Sequence, residues 1–163
     1  MILDCVINYY TDIFNMYVSA ISNDLGSTTW GSGFTGPFST TTEYIVGGFY
    51  APGDGGGGIF VWIPTAITTP DGGITINNAN DTAGHFKRIY SGPLNVRWFG
   101  AKGDGVTDDT AAVHAARDAA KSGTIYFPES LDADGNELPY VGAFVFDKRT
   151  SICSALPHHQ LSS

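Results

Sequence analysis

Apolar residues run along this chain in short stretches broken by glycine, proline and aspartate, a punctuation that favours strands over long helices. EYIVGGFY (43–50) leads into APGDGGGG, and IFVWIP (59–64) follows as a second strand-like run. The turn between them centres on Pro52-Gly53-Asp54-Gly55, where proline presets φ and glycine supplies positive φ without steric cost. A second turn at Pro70-Asp71-Gly72-Gly73 precedes ITI (74–76), and HFKRIY (85–90) closes the unit. The pattern predicts a small antiparallel β module over residues 43–92.

Periodicity changes in residues 95–130. Val96 to Phe99 reads as a short strand, and Gly100 with Gly103-Asp104-Gly105 lets the chain turn sharply. Thr107 or Asp108 is placed to cap a helix, and Asp108 and Asp109 both suit its positive end. The helix is expected to run to about Lys121, with Ala112, Val113, Ala116, Ala119 and Ala120 as a small-residue face and Gly123 as terminator. Thr124 to Phe127 is then a strand ended by Pro128, and Tyr140 to Phe146 is one further strand.

The ends are less patterned. Residues 1–42 form an N-terminal segment, where about Val6 to Ile21 reads as either helix or strand, followed by a Ser/Thr/Gly-rich linker. Trp30, Phe34 and Phe38 are its candidate anchors onto a neighbouring surface. Residues 93–150 make the third segment, and 151–163 read as an irregular tail.

Composition narrows the function. The 163 residues carry a net charge of −8, with only eight Lys and Arg spread thinly, so no basic cluster exists to displace counterions from nucleic acid. No stretch approaches the roughly 20 apolar residues that span a bilayer, so no membrane partner is expected. Cys5 and Cys153 stand far apart and define neither a disulfide framework nor a metal knuckle. The N-terminus carries Asp4 and Asp12 without a basic region and does not read as a signal peptide.

Candidate chemistry is sparse. The glycine run 55–58 lacks the lysine and following helix of a phosphate loop, which leaves a tight hairpin with close backbone approach. Paired carboxylates perform glycosidic hydrolysis, and Asp104, Asp108, Asp109 and Asp118 lie together in the sequence. Turn and cap chemistry accounts for Asp104, Asp108 and Asp109 more simply. Asp132 to Asn136 lacks the ligand spacing of a calcium loop, and His85, His114, His158 and His159 lack metal-ligand spacing. Trp62 and Trp98 lie in apolar runs and read as core rather than sugar platforms. No cofactor or metal is expected, and neither a catalytic nor a carbohydrate-binding residue is assigned.

The run WFGAKGDGVTDDTAAVHAARDAAKSGTIYFP closely resembles the opening of the pectate-lyase-like superfamily of right-handed parallel β-helices, which includes rhamnogalacturonases, polygalacturonases and phage tailspike depolymerases. The upstream YIVGGFYAPGDGGGGIFVW, with GHFKRIYSGPLNVRWFGAKGDG, is similar to the small β module that precedes this opening in phage tail-spike and bacterial surface proteins. The resemblance implies a mainly β fold: a small antiparallel β module, then the N-terminal cap helix and first coil of a right-handed parallel β-helix, truncated there. It implies that Gly100, Gly103, Asp104, Gly105, Thr107, Asp108 and Asp109 are structural cap and turn elements, with the catalytic acids on later coils. It further implies a polysaccharide partner for the full-length protein, an extracellular or virion location, and leaves a homotrimer open. A non-catalytic attachment module of a phage tail or cell-surface fibre is the alternative.

Overall fold

The computed structural model describes residues 15–18, 38–66, 69–78, 83–146 and 149–154. The chain divides into two units, Met1–Ser91 and Gly92–Ser163.

The first unit is a five-stranded sheet of β1 (Asn15–Val18), β2 (Glu43–Val46), β3 (Gly58–Ile63), β4 (Thr75–Asn77) and β5 (His85–Ile89), in the order β1-β2-β3-β5-β4. The β2–β3, β3–β5 and β4–β5 pairs are antiparallel, as the turn chemistry predicts. Strand β1 pairs with β2 in parallel, so the N-terminal segment contributes a strand and the sheet is mixed. Of the two readings of Val6 to Ile21, the described residues take the strand; the remainder lies outside them.

Alternation along β2, β3 and β5 sends Tyr44, Val46, Phe60, Trp62 and Phe86 to one face, where with Ile76 they form the buried core. The Phe86 ring meets Tyr44 and Trp62 at 4.9 Å, nearly edge to face, the geometry that aromatic quadrupoles favour. Phe38 closes this cluster with its ring 4.6 Å from Trp62, an anchor onto the core as expected; Trp30 and Phe34 lie outside the described residues.

The second unit contains β6 (Leu94–Asn95), a 3-10 turn (Val96–Phe99), α1 (Thr110–Ala120), β7 (Thr124–Phe127) and β8 (Ser151–Ser154). β6, β7 and β8 form a wholly parallel sheet in that order. Val113 and Ala116 on α1 are buried, as are Leu94, Val96, Phe99 and Ile125, and α1 contacts β6, β7 and the 3-10 turn. The alanine face thus lets the helix approach the sheet closely.

Three expectations need correction here. Val96–Phe99 is not a strand, because the Asn95 side chain accepts from the Arg97 N–H at 2.9 Å and curls the chain into one 3-10 turn, closed by Gly100 at φ 93°. Tyr140 to Phe146 is not a strand either. Its N–H groups are claimed by the helix: Ala143 donates to Thr110 Oγ1 at 2.9 Å and Val145 to His114 Nε2 at 3.2 Å, leaving one ladder bridge, Asp108 to Val141. Finally, Ser151–Ser154, expected as the start of an irregular tail, pairs with Thr124–Phe127 residue for residue, and the rest of that expectation lies outside the described residues. The four side chains of Ser151–Ser154 are all exposed, so no alternation betrays the strand in the sequence.

Candidate functional site

The aspartate-rich loop before α1 holds the residues singled out by the sequence. Asp109 is 2% exposed, and its carboxylate accepts from the N–H groups of Lys102 at 2.7 Å and Gly103 at 3.0 Å. Its own N–H donates to Val141 O at 2.7 Å. Asp109 occupies the cap position of α1 yet makes no side-chain cap bond. It ties the loop back on itself instead. Asp108 accepts from the Thr110 N–H at 2.9 Å, and the Thr110 side chain, then this N–H, lowers its pKa.

Asp104 serves the loop from the other side. Oδ1 accepts from the N–H groups of Val106 and Thr107 at 3.0 and 2.6 Å, and Oδ2 accepts from the Thr107 hydroxyl at 2.7 Å. The Thr107 hydroxyl, then its N–H and that of Val106, pull the Asp104 pKa down to about 2. Thr107 is therefore spent on Asp104 rather than on the helix, and of the two expected caps only Asp108 reaches a helical N–H. Gly100, Gly103 and Gly105 all have positive φ, at 93°, 61° and 74°. At Gly103 a Cβ would also stand 2.6 Å from the Tyr140 ring, so both conformation and space require glycine there.

Tyr140 organises the chain that returns across this loop. Its hydroxyl donates to Pro128 O at 2.9 Å and accepts from Arg97 Nε at 3.0 Å, while its ring meets Phe127 at 5.2 Å. Burial raises its pKa, and the Arg97 contact pulls the other way. Asp118 pairs with Arg117 at 2.7 Å on the outer side of α1 and is exposed. Asp104, Asp108, Asp109 and Asp118 therefore each satisfy backbone or side-chain donors of their own.

In the first unit the residue that sequence reasoning missed is Arg88. It is 3% exposed, and it donates from Nε to Gly73 O at 2.8 Å, from Nη1 to Gly57 O at 2.6 Å and from Nη2 to Gly56 O at 2.8 Å. Burial pulls its pKa down to about 9, still charged at neutral pH, and the nearby Asp71 opposes that fall. One guanidinium thus joins both glycine turns. A Cβ at Gly58 would collide with Nη1 of Arg88, and one at Gly57 with the Val46 and Gly47 carbonyls, so close approach requires glycine at both. Within the turns, Asp54 accepts from the N–H groups of Phe49, Tyr50, Ala51 and Gly56, and Asp71 from those of Gly73, Ile74 and Thr75. The only sequence signal for Arg88 is a basic residue at a core-facing position of an alternating strand.

Known proteins match both units. Residues 35–91 match the family described as phage tail protein small four-stranded beta-sheet domain. Residues 94–129 match the family described as rhamnogalacturonase A/epimerase, pectate lyase-like. Over that stretch the chain is pectate-lyase-like. A capsule-specific depolymerase of Klebsiella phage K5-2 is 48% identical over 66 residues, covering 40% of this chain and 7% of the relative. A mannuronan C5-epimerase of Azotobacter vinelandii is 45% identical over 65 residues, covering 37% and 5%. The chain therefore spans less than a tenth of either relative. Among solved structures, a glycan biofilm modifying enzyme of Pantoea stewartii, with a tailspike-like parallel β-helix fold, superposes with a TM-score of 0.50 at 21% identity, covering 88% of this chain and 22% of that one.

The second unit has a cavity of about 280 Å³ lined by Phe127, Glu129, Glu137, Leu138 and Tyr140. Both of its acids are exposed, so water competes for them. Near it, the Asp132 carboxylate accepts from the N–H groups of Asp134 and Asn136 and from the Asn136 side chain, so it closes its own turn. Among the described residues, no group of three or more His, Cys, Asp and Glu could hold a metal ion. Nor is any helix among them long and apolar enough to cross a membrane. His85 and Trp62 are buried, His85 with Nδ1 2.7 Å from Thr65 O, and Trp98 is half-buried; His158, His159, Trp30 and Cys5 lie outside the described residues.

Proposed function

We propose that this chain is the N-terminal part of a carbohydrate-active, tailspike-like β-helix protein that acts on polysaccharide from a virion or outside the cell. The observation that carries the reading is the order of its two units. A phage-tail β-sheet module at 35–91 is followed within three residues by a pectate-lyase-like stretch at 94–129. The named relatives are a capsule depolymerase and a mannuronan C5-epimerase, whose names support polysaccharide as the substrate class.

In this reading α1 caps the first coil of the β-helix, and β6, β7 and β8 belong to one of its parallel sheets. The packing of Val113 and Ala116 against that sheet supports the cap role. Gly100, Gly103, Asp104, Gly105, Thr107, Asp108 and Asp109 act as cap and turn elements, supported by the bonds of Asp104 and Asp109 to backbone N–H groups. In this reading residues 1–163 by themselves cleave nothing, since Asp104, Asp108 and Asp109 are each held by turn and cap donors. The attachment-only alternative draws no comparable support, because the relatives named above are enzymes.

The test is a pair of assays. Virions labelled by antibody to residues 43–92 place the chain on a phage tail, and the tail protein bearing it releases oligosaccharide from host capsule. The purified chain alone releases none. Unlabelled virions, or a labelled tail protein inert towards host capsule and other polysaccharides, would defeat the reading.

A further inference from the structure

The sequence spreads its eight Lys and Arg thinly, but the second unit gathers three of them around one open cavity. This cavity of about 640 Å³ is lined by Arg117, Asp118 and Lys121 at the end of α1, and by Val145, Phe146 and Arg149. Asp118 is the one acid among the described lining residues, and Arg117 already holds it. Nε and Nη2 of Arg117 stand 2.8 and 2.7 Å from one Asp118 carboxylate oxygen. Nη1 donates to Val145 O at 2.6 Å, which fixes the guanidinium at the cavity wall. Three cations against one acid leave the lining at +2, in a chain whose total is −8.

The backbone at Lys121 is a second, independent sign. Among the described residues it alone, glycines aside, has a positive φ, at 57° with ψ −94°. A residue with a Cβ is strained in that conformation and glycine is not, and such strain persists where the side chain has a use. The helix end does not require a lysine there, because Arg117 already places a cation in the last turn. Nor does a salt bridge account for it, since among the described residues none engages Lys121.

We propose that this cavity binds a carboxylated sugar unit, with Arg117, Lys121 and Arg149 around the carboxylate and Phe146 against the ring. Three full charges outweigh the roughly half negative charge of the helix C-terminus. The volume exceeds what a lone inorganic anion fills and suits a short saccharide. The choice of a saccharide rests on the polysaccharide reading above; the choice of an anion rests on the cavity.

Isothermal titration calorimetry of the whole chain with mannuronate and galacturonate trisaccharides tests it. Binding is expected, weaker in about 0.5 M salt because the charges are exposed. A neutral mannose trisaccharide and inorganic phosphate should not bind. Lys121→Gly and Arg149→Gln should each weaken uronate binding at least about fivefold. Lys121→Gly should also keep or raise the melting temperature, because glycine relieves the backbone. Lys87→Gln, an equal loss of charge in the first unit, should leave binding unchanged. No binding of either uronate, equal binding of the neutral sugar, or binding of phosphate alone would overturn the proposal. So would unchanged binding in Lys121→Gly and Arg149→Gln, or a Lys121→Gly chain that melts lower. None of these outcomes touches the polysaccharide reading, which fails only if virions go unlabelled or the tail protein is inert.

Discussion

Phe60 and Arg88 are register partners on neighbouring antiparallel strands, and the guanidinium carbon of Arg88 lies 4.5 Å from the centroid of the Phe60 ring. The ring covers one side of a buried cation whose donors reach Gly56, Gly57 and Gly73. A positive charge over an aromatic face is favourable, and charge-assisted bonds to carbonyls offset its desolvation. Arg88 does in the first unit what Asp109 does in the second: a buried charge fixes turns that have little apolar surface of their own.

Replacing Arg88 should therefore unfold the first unit readily. Each charge-assisted hydrogen bond is worth about 1.5–3 kcal/mol, and three carbonyls lose theirs at once. Arg88→Met is expected to cost at least about 3 kcal/mol in urea unfolding followed by Trp62 fluorescence. Arg88→Lys should recover less than half of that, because an ammonium cannot span both turns. A loss below about 1 kcal/mol would show that the turns hold themselves.

Asp108 and Asp109 are adjacent but should behave differently. Asp109→Asn substitutes a donor amide for one of two buried acceptor oxygens facing N–H groups, at a cost of about 1–3 kcal/mol. Asp108→Ala removes one exposed bond to Thr110, at the low end of the roughly 0.5–2 kcal/mol of a lost cap. Thermal melts of the two variants should rank Asp109→Asn as the less stable; the reverse order would mean that the cap outweighs the loop tie.

Gly103→Ala combines two penalties. A left-handed conformation costs a residue with a Cβ about 1–2 kcal/mol, and the Tyr140 ring must shift to admit the methyl group. Tyr140→Leu in the same chain should relieve part of the second penalty only, giving a measurable coupling in a double-mutant cycle. Strict additivity of the two changes would remove Tyr140 from the explanation.

Asp104 sets the acid limb of stability in the second unit. Its pKa falls from the ordinary 3.8 to about 2 in the folded chain, so the folded state binds its proton later than the unfolded state does. The stability it contributes is fully present above the ordinary carboxylate value and is lost as pH falls towards about 2. Asp104→Asn should therefore be less stable than the parent at neutral pH, with the difference shrinking on acidification. Chemical denaturation of both proteins at a series of pH values measures it, and a gap that widens in acid would refute the assignment.

Local chemistry made much of this protein legible from sequence. The strands at 43–46, 58–63 and 85–89 follow from alternating apolar residues between Pro-Asp-Gly turns, and α1 from an alanine-rich run bounded by Asp109 and Gly123. These features depend on residues within a few positions of one another, where propensity and turn geometry act directly. Tertiary structure alone decided the rest. Tyr140–Phe146 has strand-forming residues, yet Thr110 and His114 take its N–H groups from a helix some 30 residues away. Ser151–Ser154 has no strand signature, yet it becomes one because β7 offers a parallel edge, and ladder bonds join backbones irrespective of side chain. The glycine run at 55–58 announces a close approach, but only the fold brings Arg88 of the neighbouring strand β5 up to Gly58.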